Sequence, residues 1–236
     1  MLEANNLSYK CQNRFLIENI SLDFRAGNLY GILGSNGSGK TTLLKCLCGL
    51  WKPSSGLVKW NHMELHSLAR KEISRVVSFV PHSPTVPFDF TISEMVEMGC
   101  YSGEQTSPGE LTRVMEMVDI LHLQSRKINQ VSCGEKQRVY LARAIISQAP
   151  ILILDEPTAS LDIQHQIQIW KILSLLREQG KTLIISTHDI QAAKQHCTHG
   201  AILDNGRVLQ TGRIHEILQS NEFHQLFSYN FASTTL

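Results

Sequence analysis

The clearest chemistry in the sequence lies in a glycine-rich stretch that contains one lysine. Its glycines let the backbone wrap closely around phosphate oxygens, and the lysine adds a positive charge. A strand pattern over residues 28–33 precedes the stretch, and a helical pattern over residues 41–50 follows it. This order predicts a phosphate-binding loop rather than a plain Gly/Ser loop. The loop comprises Gly34, Ser35, Asn36, Gly37, Ser38, Gly39, Lys40, Thr41 and Thr42.

Two acidic residues supply the matching metal and base chemistry. Asp155 and Glu156 directly follow the apolar run Ile151–Leu154, which is typical of a buried parallel strand. Mg²⁺ prefers oxygen ligands and keeps much of its hydration shell, so Asp155 would hold the ion through water. Glu156 would act as general base toward an attacking water. The alternative interpretation is a pair of surface acids after a core strand.

Strand and helix patterns alternate around these residues. Short β segments are expected within residues 1–30, helices within residues 91–128, and a hairpin at Asp204-Asn205-Gly206. Such alternation predicts an α/β fold with a parallel sheet. Further strands are expected at residues 56–60, 76–80 and 182–186, and further helices at residues 135–147 and 163–179.

Composition narrows the class of protein. The chain has 236 residues, 42% of them hydrophobic, and a formal net charge of +1. It therefore lacks the basic balance expected of a dedicated nucleic-acid binder. The six cysteines form no CxxC pair, and neither a signal peptide nor an apolar run of the roughly 20 residues that span a bilayer is visible. Any membrane role would require a spanning partner.

The octapeptide Val131-Ser132-Cys133-Gly134-Glu135-Lys136-Gln137-Arg138 identifies the kind of phosphate chemistry. This segment, the signature segment below, resembles the LSGGQ-type signature of the ATP-binding cassette (ABC) family. Val131 and Cys133 depart from the leucine and glycine of that family. With the phosphate loop and Asp155-Glu156, the resemblance covers essentially the whole chain.

The resemblance implies the fold class of a P-loop NTPase. That fold has a RecA-like parallel sheet core, an N-terminal antiparallel β subdomain and an inserted helical subdomain. We expect one ABC ATPase domain over residues 1–236, with residues 1–85 and 148–236 forming the core. The helical subdomain would span about residues 86–147 and carry the signature segment.

The resemblance also implies ATP and Mg²⁺ as ligands and ATP hydrolysis as the activity. His188, which follows the strand pattern at residues 182–186, would contact the γ-phosphate beside Glu156, and Tyr9 would stack on adenine. The alternatives are a structural histidine and a half-buried strand tyrosine. The phosphate loop would bind the phosphates, with Thr41 also holding Mg²⁺. The residues that would reach ATP from a second subunit are Ser132, Cys133, Gly134 and Asp162, the last of which could equally be a helix N-cap.

Two departures from the family pattern predict altered kinetics. Cys133 would weaken the grip on ATP because its side chain adds bulk where the family has glycine. His82 stands where the family has a glutamine near Mg²⁺ and the water, and it would reach the metal through water. Histidine ordinarily changes charge at about pH 6.5, so slower or more pH-sensitive hydrolysis is expected. Neutral drift at both positions is the alternative.

The stretch from Pro87 to Tyr101 is similar to bacterial importer ATPases for metal chelates, such as iron–siderophore, haem or cobalamin. Gly99-Cys100-Tyr101 replaces their usual Gly-Arg-Tyr. The resemblance implies a second copy of the chain, a membrane permease and a solute-binding protein as partners, and no nucleic acid. It implies a peripheral location on the cytoplasmic face of the inner membrane, and leaves the cargo open. The resemblance also implies a groove for a permease helix, with candidate residues Met95, Val96, Met98 and Tyr101. The alternative is that these residues belong to the ordinary core.

Competing classes of function differ in their motifs. A GTPase is disfavoured because the sequence has no NKxD base-reading motif, and a small-molecule kinase is disfavoured by the signature segment. A non-transport ABC ATPase in a cytosolic complex, for example of the cluster-assembly type, stays open because one fold can serve several functions.

Overall fold

The computed structural model describes residues 1–82, 88–100, 107–159 and 161–232, without the side chains of residue 108 and residues 227–232. The chain divides into two compact units. The first unit combines Met1–Ser67 with Ile184–Leu236, and the second is Leu68–Leu183. Within the described residues, no helix combines the length and the apolar character that crossing a membrane requires.

Strands and helices occur at the predicted segments. The strands are β1 (Leu2–Cys11), β2 (Arg14–Phe24), β3 (Leu29–Leu33), β4 (Ser55–Trp60), β5 (Met63–Glu64), β6 (Val77–Val80), β7 (Ile151–Asp155), β8 (Thr182–Thr187), β9 (His199–Asp204) and β10 (Arg207–Arg213). The helices are α1 (Lys40–Leu47), α2 (Arg70–Val76), α3 (Ile92–Glu97), α4 (Pro108–Met117), α5 (Cys133–Ile146), α6 (Ile163–Glu178), α7 (Ile190–His196), α8 (Ile214–Ile217) and α9 (Asn221–Ala232). Of these elements, β5, α2, α7, α8 and α9 lie where the sequence patterns predict none.

An antiparallel sheet forms the N-terminal part of the first unit, in the order β2-β1-β4-β5. Apolar and polar residues alternate along its strands, so one face is buried. Ile20 and Phe24 of β2 are almost completely buried, as the sequence pattern predicts. β1 and β2 pair in an antiparallel register that opposes Leu7 to Ile20.

A parallel pair of strands carries the phosphate loop of the first unit. β3 is buried along its whole length and runs parallel to β9, with Ile32 opposite Ala201. The predicted hairpin joins β9 to β10, because Asn205 and Gly206 both have positive φ, as a tight type I′ turn requires.

The second unit combines helices with the parallel pair β6–β7. Val80 lies opposite Leu154, and both are fully buried. α5 packs against β6 and against α3 and α4. α2 occupies residues for which the sequence analysis predicts no element, and it also takes Val76 from the expected strand.

α6 occupies the predicted segment, but the apolar residues that recur along it at helical spacing are not all buried; they are Ile163, Ile167, Trp170, Leu173 and Leu176. Trp170 and Leu173 lie in the core, whereas Ile163 is 74% exposed and Ile167 is 50% exposed. The periodic pattern identifies the helix correctly because spacing sets the face. The pattern does not show which positions on that face are covered by the rest of the protein.

Candidate active site

The phosphate loop joins β3 to α1, as the sequence predicts. α1 begins at Lys40, and its N-cap residue, Gly39, has φ 104° and supplies no side-chain cap. The first turn of α1 contains no acidic residue. A helix start without a side-chain cap from its N-cap residue and without an acid in its first turn suits an anion, which the helix dipole also favours.

Lys40 turns back into the loop. Its Nζ donates hydrogen bonds to the carbonyl oxygens of Gly34 and Ser35, at 2.9 Å and 3.0 Å. The residue is only 6% exposed. A buried ammonium held by backbone oxygens places positive charge inside the loop, where phosphate oxygens would lie.

The hairpin of β9 and β10 packs against the loop. A Cβ added at Gly34 would collide with the carbonyl oxygen of Leu203, and Gly206 N donates to Ser38 O at 2.9 Å. Among the described residues, the buried Ser38 Oγ finds no hydrogen-bond partner. A buried hydroxyl without a partner costs free energy unless a ligand satisfies it, so the loop fits a phosphate-bearing ligand.

Tyr9 lies in β1 of the same unit and stacks on a second aromatic ring. The centroids of Tyr9 and Trp51 are 5.0 Å apart with an interplanar angle of 19°. Lys45 Nζ lies 4.3 Å from the centroid of a Trp51 ring. Sequence reasoning missed Trp51 and Lys45, because no local spacing links β1 to α1 or to the segment after it.

His188 directly follows β8 and is exposed. The next residue, Asp189, caps α7 by accepting a hydrogen bond from Ala192 N at 2.9 Å. Asp189 N in turn donates to Thr187 Oγ1 at 3.0 Å. These bonds fix the backbone on the C-terminal side of His188 at the change from strand to helix.

The predicted acidic pair lies at the end of β7 in the second unit. Every residue of β7 is buried, and Asp155 is only 4% exposed. Glu156 is half-buried and has φ 47°, in the left-handed region that non-glycine residues rarely adopt. Backbone strain of this kind often accompanies a functional position, and here it turns the chain directly after a core strand.

The segment after the acidic pair leads into α6. Asp162 is the N-cap of α6, because its Oδ1 accepts from His165 N at 3.0 Å, so the N-cap interpretation is confirmed. His165 Nδ1 lies 2.7 Å from Asp162 Oδ2. The backbone hydrogen bond from His165 lowers the pKa of Asp162. Gln166 Nε2 donates to Thr158 O and Leu161 O, which anchors the segment, and Ser160 lies outside the described residues.

The signature segment forms a capping box at the start of α5. Glu135 N donates to Ser132 Oγ at 3.2 Å, and Ser132 N donates to Glu135 Oε2 at 2.7 Å. The latter bond lowers the pKa of Glu135. The backbone N–H of Ser132 is therefore occupied, and its hydroxyl and the N–H groups of Cys133 and Gly134 are the donors that an anion could use.

The two residues after Ser132 have different surroundings. Cys133 is exposed and is the first residue of α5, so its position requires no glycine-like backbone. A Cβ at Gly134 would lie 3.0 Å from Leu161 Cδ2, so glycine there also serves packing. Val131 is buried.

His82 is exposed and follows Pro81 after β6. The loop beyond it, residues 83–87, lies outside the described residues. Its expected water-mediated contact to Mg²⁺ remains a prediction.

Of the two interpretations of the groove residues, ordinary core is correct for Met95 and Val96. Met95 is 2% exposed and Val96 is fully buried, so both are core residues of the second unit. Met98 is 42% exposed, and Tyr101 lies outside the described residues. The reason is the orientation of α3, because its inner face packs against α5 while Glu94 and Glu97 on its outer face are exposed.

Each unit thus contains part of the predicted site. The first holds the phosphate loop, Tyr9 and His188. The second holds Asp155, Glu156 and Asp162. It also holds His82 and the signature segment. The hydroxyl of Thr41 and the carboxylate of Asp155 are oxygen donors of the kind that Mg²⁺ prefers.

Comparison with known proteins places this geometry in context. The family model described as ABC transporter matches residues 17–159. The cobalamin import ATP-binding protein of Halobacterium salinarum is 32% identical over 240 residues, 99% of this chain. The chain spans 60% of the length of that relative. The hemin import ATP-binding protein of Shewanella denitrificans is 32% identical over 242 residues, with 98% of this chain and 94% of that protein covered.

Solved structures have the same fold. A dimeric ATP-binding cassette in a post-hydrolysis state, bound to ADP and Pi, matches with a TM-score of 0.81 and 26% identity over 91% of this chain and 99% of that one. A transporter described as of the metal-chelate type, in an inward-facing conformation, matches with a TM-score of 0.79 and 25% identity over 96% and 88%. The expected P-loop NTPase fold is confirmed.

Proposed function

Because the chain belongs to the ABC transporter family, we propose that it is an ATP-hydrolysing subunit that dimerises and drives import through a membrane permease. The observation that carries this proposal is the phosphate loop, with Lys40 buried inside it and Ser38 Oγ buried without a partner among the described residues. Relatives that cover nearly the whole chain are named import ATP-binding proteins.

Binding of ATP would begin at the phosphate loop. The N–H groups at the start of α1 donate to the phosphate oxygens, and Ser38 Oγ gains the partner that it lacks in the described residues. Lys40 Nζ exchanges its bonds to Gly34 O and Ser35 O for phosphate oxygens. Tyr9 stacks on adenine, which requires only a flat aromatic face.

Hydrolysis would depend on Glu156 and His188. The Glu156 carboxylate accepts a proton from the attacking water as general base. The imidazole of His188 contacts the γ-phosphate and holds the water against Glu156. Thr41 and Asp155, with His82 through water, would hold Mg²⁺, which when bound neutralises charge on the phosphates.

A second copy of the chain would complete each site. The donors left at the start of α5, Ser132 Oγ and the N–H groups of Cys133 and Gly134, would bind the γ-phosphate held by the other copy. Asp162 would lie at the same junction. ATP would favour the closed dimer and hydrolysis the open one, which is a population shift between two states. A solved relative in this fold is dimeric.

The cargo class is the finer part of the proposal. We propose a metal or metal chelate such as iron, delivered to the permease by a solute-binding protein. The names of the relatives, which refer to cobalamin and hemin, and the metal-chelate type of one structural match support it. The subunit would work at the cytoplasmic face of the inner membrane, and of the groove residues only Met98 remains a described candidate for contact with the permease.

Purification of the tagged chain from detergent-solubilised membranes tests the proposal. We expect a multi-span protein to co-purify and the complex to hydrolyse ATP, with Glu156→Gln lowering the rate by about a hundredfold or more. The matched control is Glu178→Gln, which makes the same change at an exposed residue at the end of α6 and should leave the rate unchanged. A cytosolic complex without any membrane subunit would overturn the import function and support a non-transport ABC ATPase.

A further inference from the structure

An aromatic pair in the first unit links the expected adenine contact to the phosphate-loop helix. The rings of Tyr9 and Trp51 are nearly parallel, with their centroids 5.0 Å apart. This is an offset stack, which holds both rings in a defined orientation. We propose that Trp51 is a positioning residue for adenine, because it holds the Tyr9 ring as a ready platform for the base. The inference rests on the proposed function, in which Tyr9 stacks on adenine.

Trp51 is fixed to α1, the helix that begins at the phosphate loop. Trp51 N donates to Lys45 O at 3.0 Å, so the backbone of Trp51 is anchored to the last turns of α1. Lys45 Nζ lies 4.3 Å from the centroid of a Trp51 ring, within the range of a cation–π contact. The ring behind Tyr9 therefore keeps a fixed relation to the helix whose N-terminus would hold the phosphates.

The backbone on both sides of Tyr9 is bound to the segment that follows Trp51. Ser54 N donates to Ser8 O at 2.8 Å, and Lys10 N donates to Ser54 Oγ at 2.9 Å. The strand at Tyr9 thus cannot shift relative to this segment without breaking two hydrogen bonds. Tyr9 itself is half-buried, which leaves part of the side chain accessible to a base.

The energetic role of Trp51 would be preorganisation. A tyrosine ring without a packed neighbour must be ordered when the base binds, and ordering a side chain reduces affinity. With Trp51 stacked on it, the Tyr9 ring is ordered beforehand. The prediction is specific to the base, because Trp51 would contribute nothing to a ligand that has only phosphates.

The test compares ATP with inorganic tripolyphosphate, a ligand without a base, in chains that also carry Glu156→Gln to prevent turnover. Trp51→Leu should weaken ATP binding by about threefold to tenfold and leave tripolyphosphate binding unchanged. Trp51→Phe keeps an aromatic ring and should restore ATP affinity to nearly the original value. Trp60→Leu removes another half-buried tryptophan of the same unit and should change the binding of neither ATP nor tripolyphosphate.

Tyr9→Leu separates this inference from the proposed function. If Tyr9→Leu leaves ATP affinity unchanged, the adenine contact of Tyr9 is wrong and the inference falls with it. If Tyr9→Leu weakens ATP binding but Trp51→Leu does not, only the positioning role is overturned. Equal weakening of ATP and tripolyphosphate by Trp51→Leu would also overturn it, since general damage to the unit would be the cause. A double variant no weaker than Tyr9→Leu alone would support the action of Trp51 through Tyr9.

Discussion

The starts of α1 and α5 differ in how they treat the N–H groups that have no partner within the helix. At α1 no side chain caps the helix and the first turn has no acid, while Lys40 is buried in the loop. At α5 Ser132 and Glu135 cap each other, and Ser132 and Cys133 are exposed. The first end has the features that favour a bound anion. The second is satisfied by its own side chains and keeps only some donors for an anion brought by another molecule.

The difference explains which end would bind ATP without help. Four features of the α1 end favour phosphate: the glycine backbone, the buried ammonium, the helix dipole and the Ser38 hydroxyl, which has no partner among the described residues. The α5 end has the dipole, but the carboxylate of Glu135 opposes an approaching anion. We therefore expect α1 to determine the affinity for ATP and α5 to determine the closure of the dimer.

The largest effect should come from Lys40. Lys40→Ala removes the buried charge and should lower ATP affinity by about a hundredfold or more, because hydrogen bonds to charged groups are the strong ones. Lys71→Ala, on the exposed surface of α2, is the control and should bind ATP normally. Isothermal titration measures both. Normal binding by Lys40→Ala would remove the distinction between the two helix ends.

The capping serines sharpen the comparison. Ser132→Ala and Ser107→Ala each remove the N-cap of a helix, α5 and α4, so each should lower the free energy of unfolding by about 1 kcal/mol. Only Ser132→Ala should also lower ATP-dependent dimerisation. Denaturant titration and light scattering distinguish the two effects. An equal loss of dimerisation in both variants would assign no special role to the start of α5.

Chemical labelling of Cys133 tests whether bulk at the start of α5 weakens closure of the dimer. In a chain with Cys11→Ser and Cys100→Ser, a maleimide should label Cys133 and slow hydrolysis by about tenfold, comparable to losing one charge-assisted hydrogen bond. Burial raises the pKa of the Cys46 and Cys197 thiols to about 12, which keeps them unreactive at neutral pH. The same reagent should leave the further variant with Cys133→Ser at full rate. Complete labelling without slower hydrolysis would make Cys133 a tolerated substitution.

The smallest effect concerns pH and the cap of α5. The hydrogen bond from Ser132 N holds the pKa of Glu135 below its ordinary value of 4.5. A carboxyl with a lowered pKa contributes stability above its ordinary value and loses it as the pH falls through the folded-state value. Below pH 4.5, the free energy of unfolding should fall more in the wild-type chain than in Glu135→Gln. The difference should be less than about 1 kcal/mol, because the Glu135 carboxylate is largely solvated. Parallel curves down to about pH 3 would show that the cap does not depend on charge.

The same contrast shows what the sequence could predict. The phosphate loop, the Asp155-Glu156 pair and the cap at Asp162 were predictable because glycine spacing, apolar runs and capping residues act locally. The sequence leaves the core and groove interpretations of Met95 and Val96 open and does not predict the exposure of Ile163, because burial depends on residues far along the chain. The stack of Tyr9 on Trp51 joins a strand to a segment about forty residues away, a distance over which side-chain spacing carries no signal.

The central claim is that α1 of one copy and α5 of another bind the same ATP molecule. The most direct measurement mixes two variants, Lys40→Ala and Cys133→Glu, both carrying Glu156→Gln. An acid in the first turn of α5 keeps the helix start but repels phosphate. Neither variant alone should retain ATP after gel filtration, because ATP bound by α1 without a closed dimer dissociates during the run. The mixture should retain it, because one of its two shared sites has both helix ends intact. If Cys133→Glu alone retains as much ATP as the Glu156→Gln parent, or if the mixture retains none while the parent does, the two copies do not share the site and the claim is contradicted.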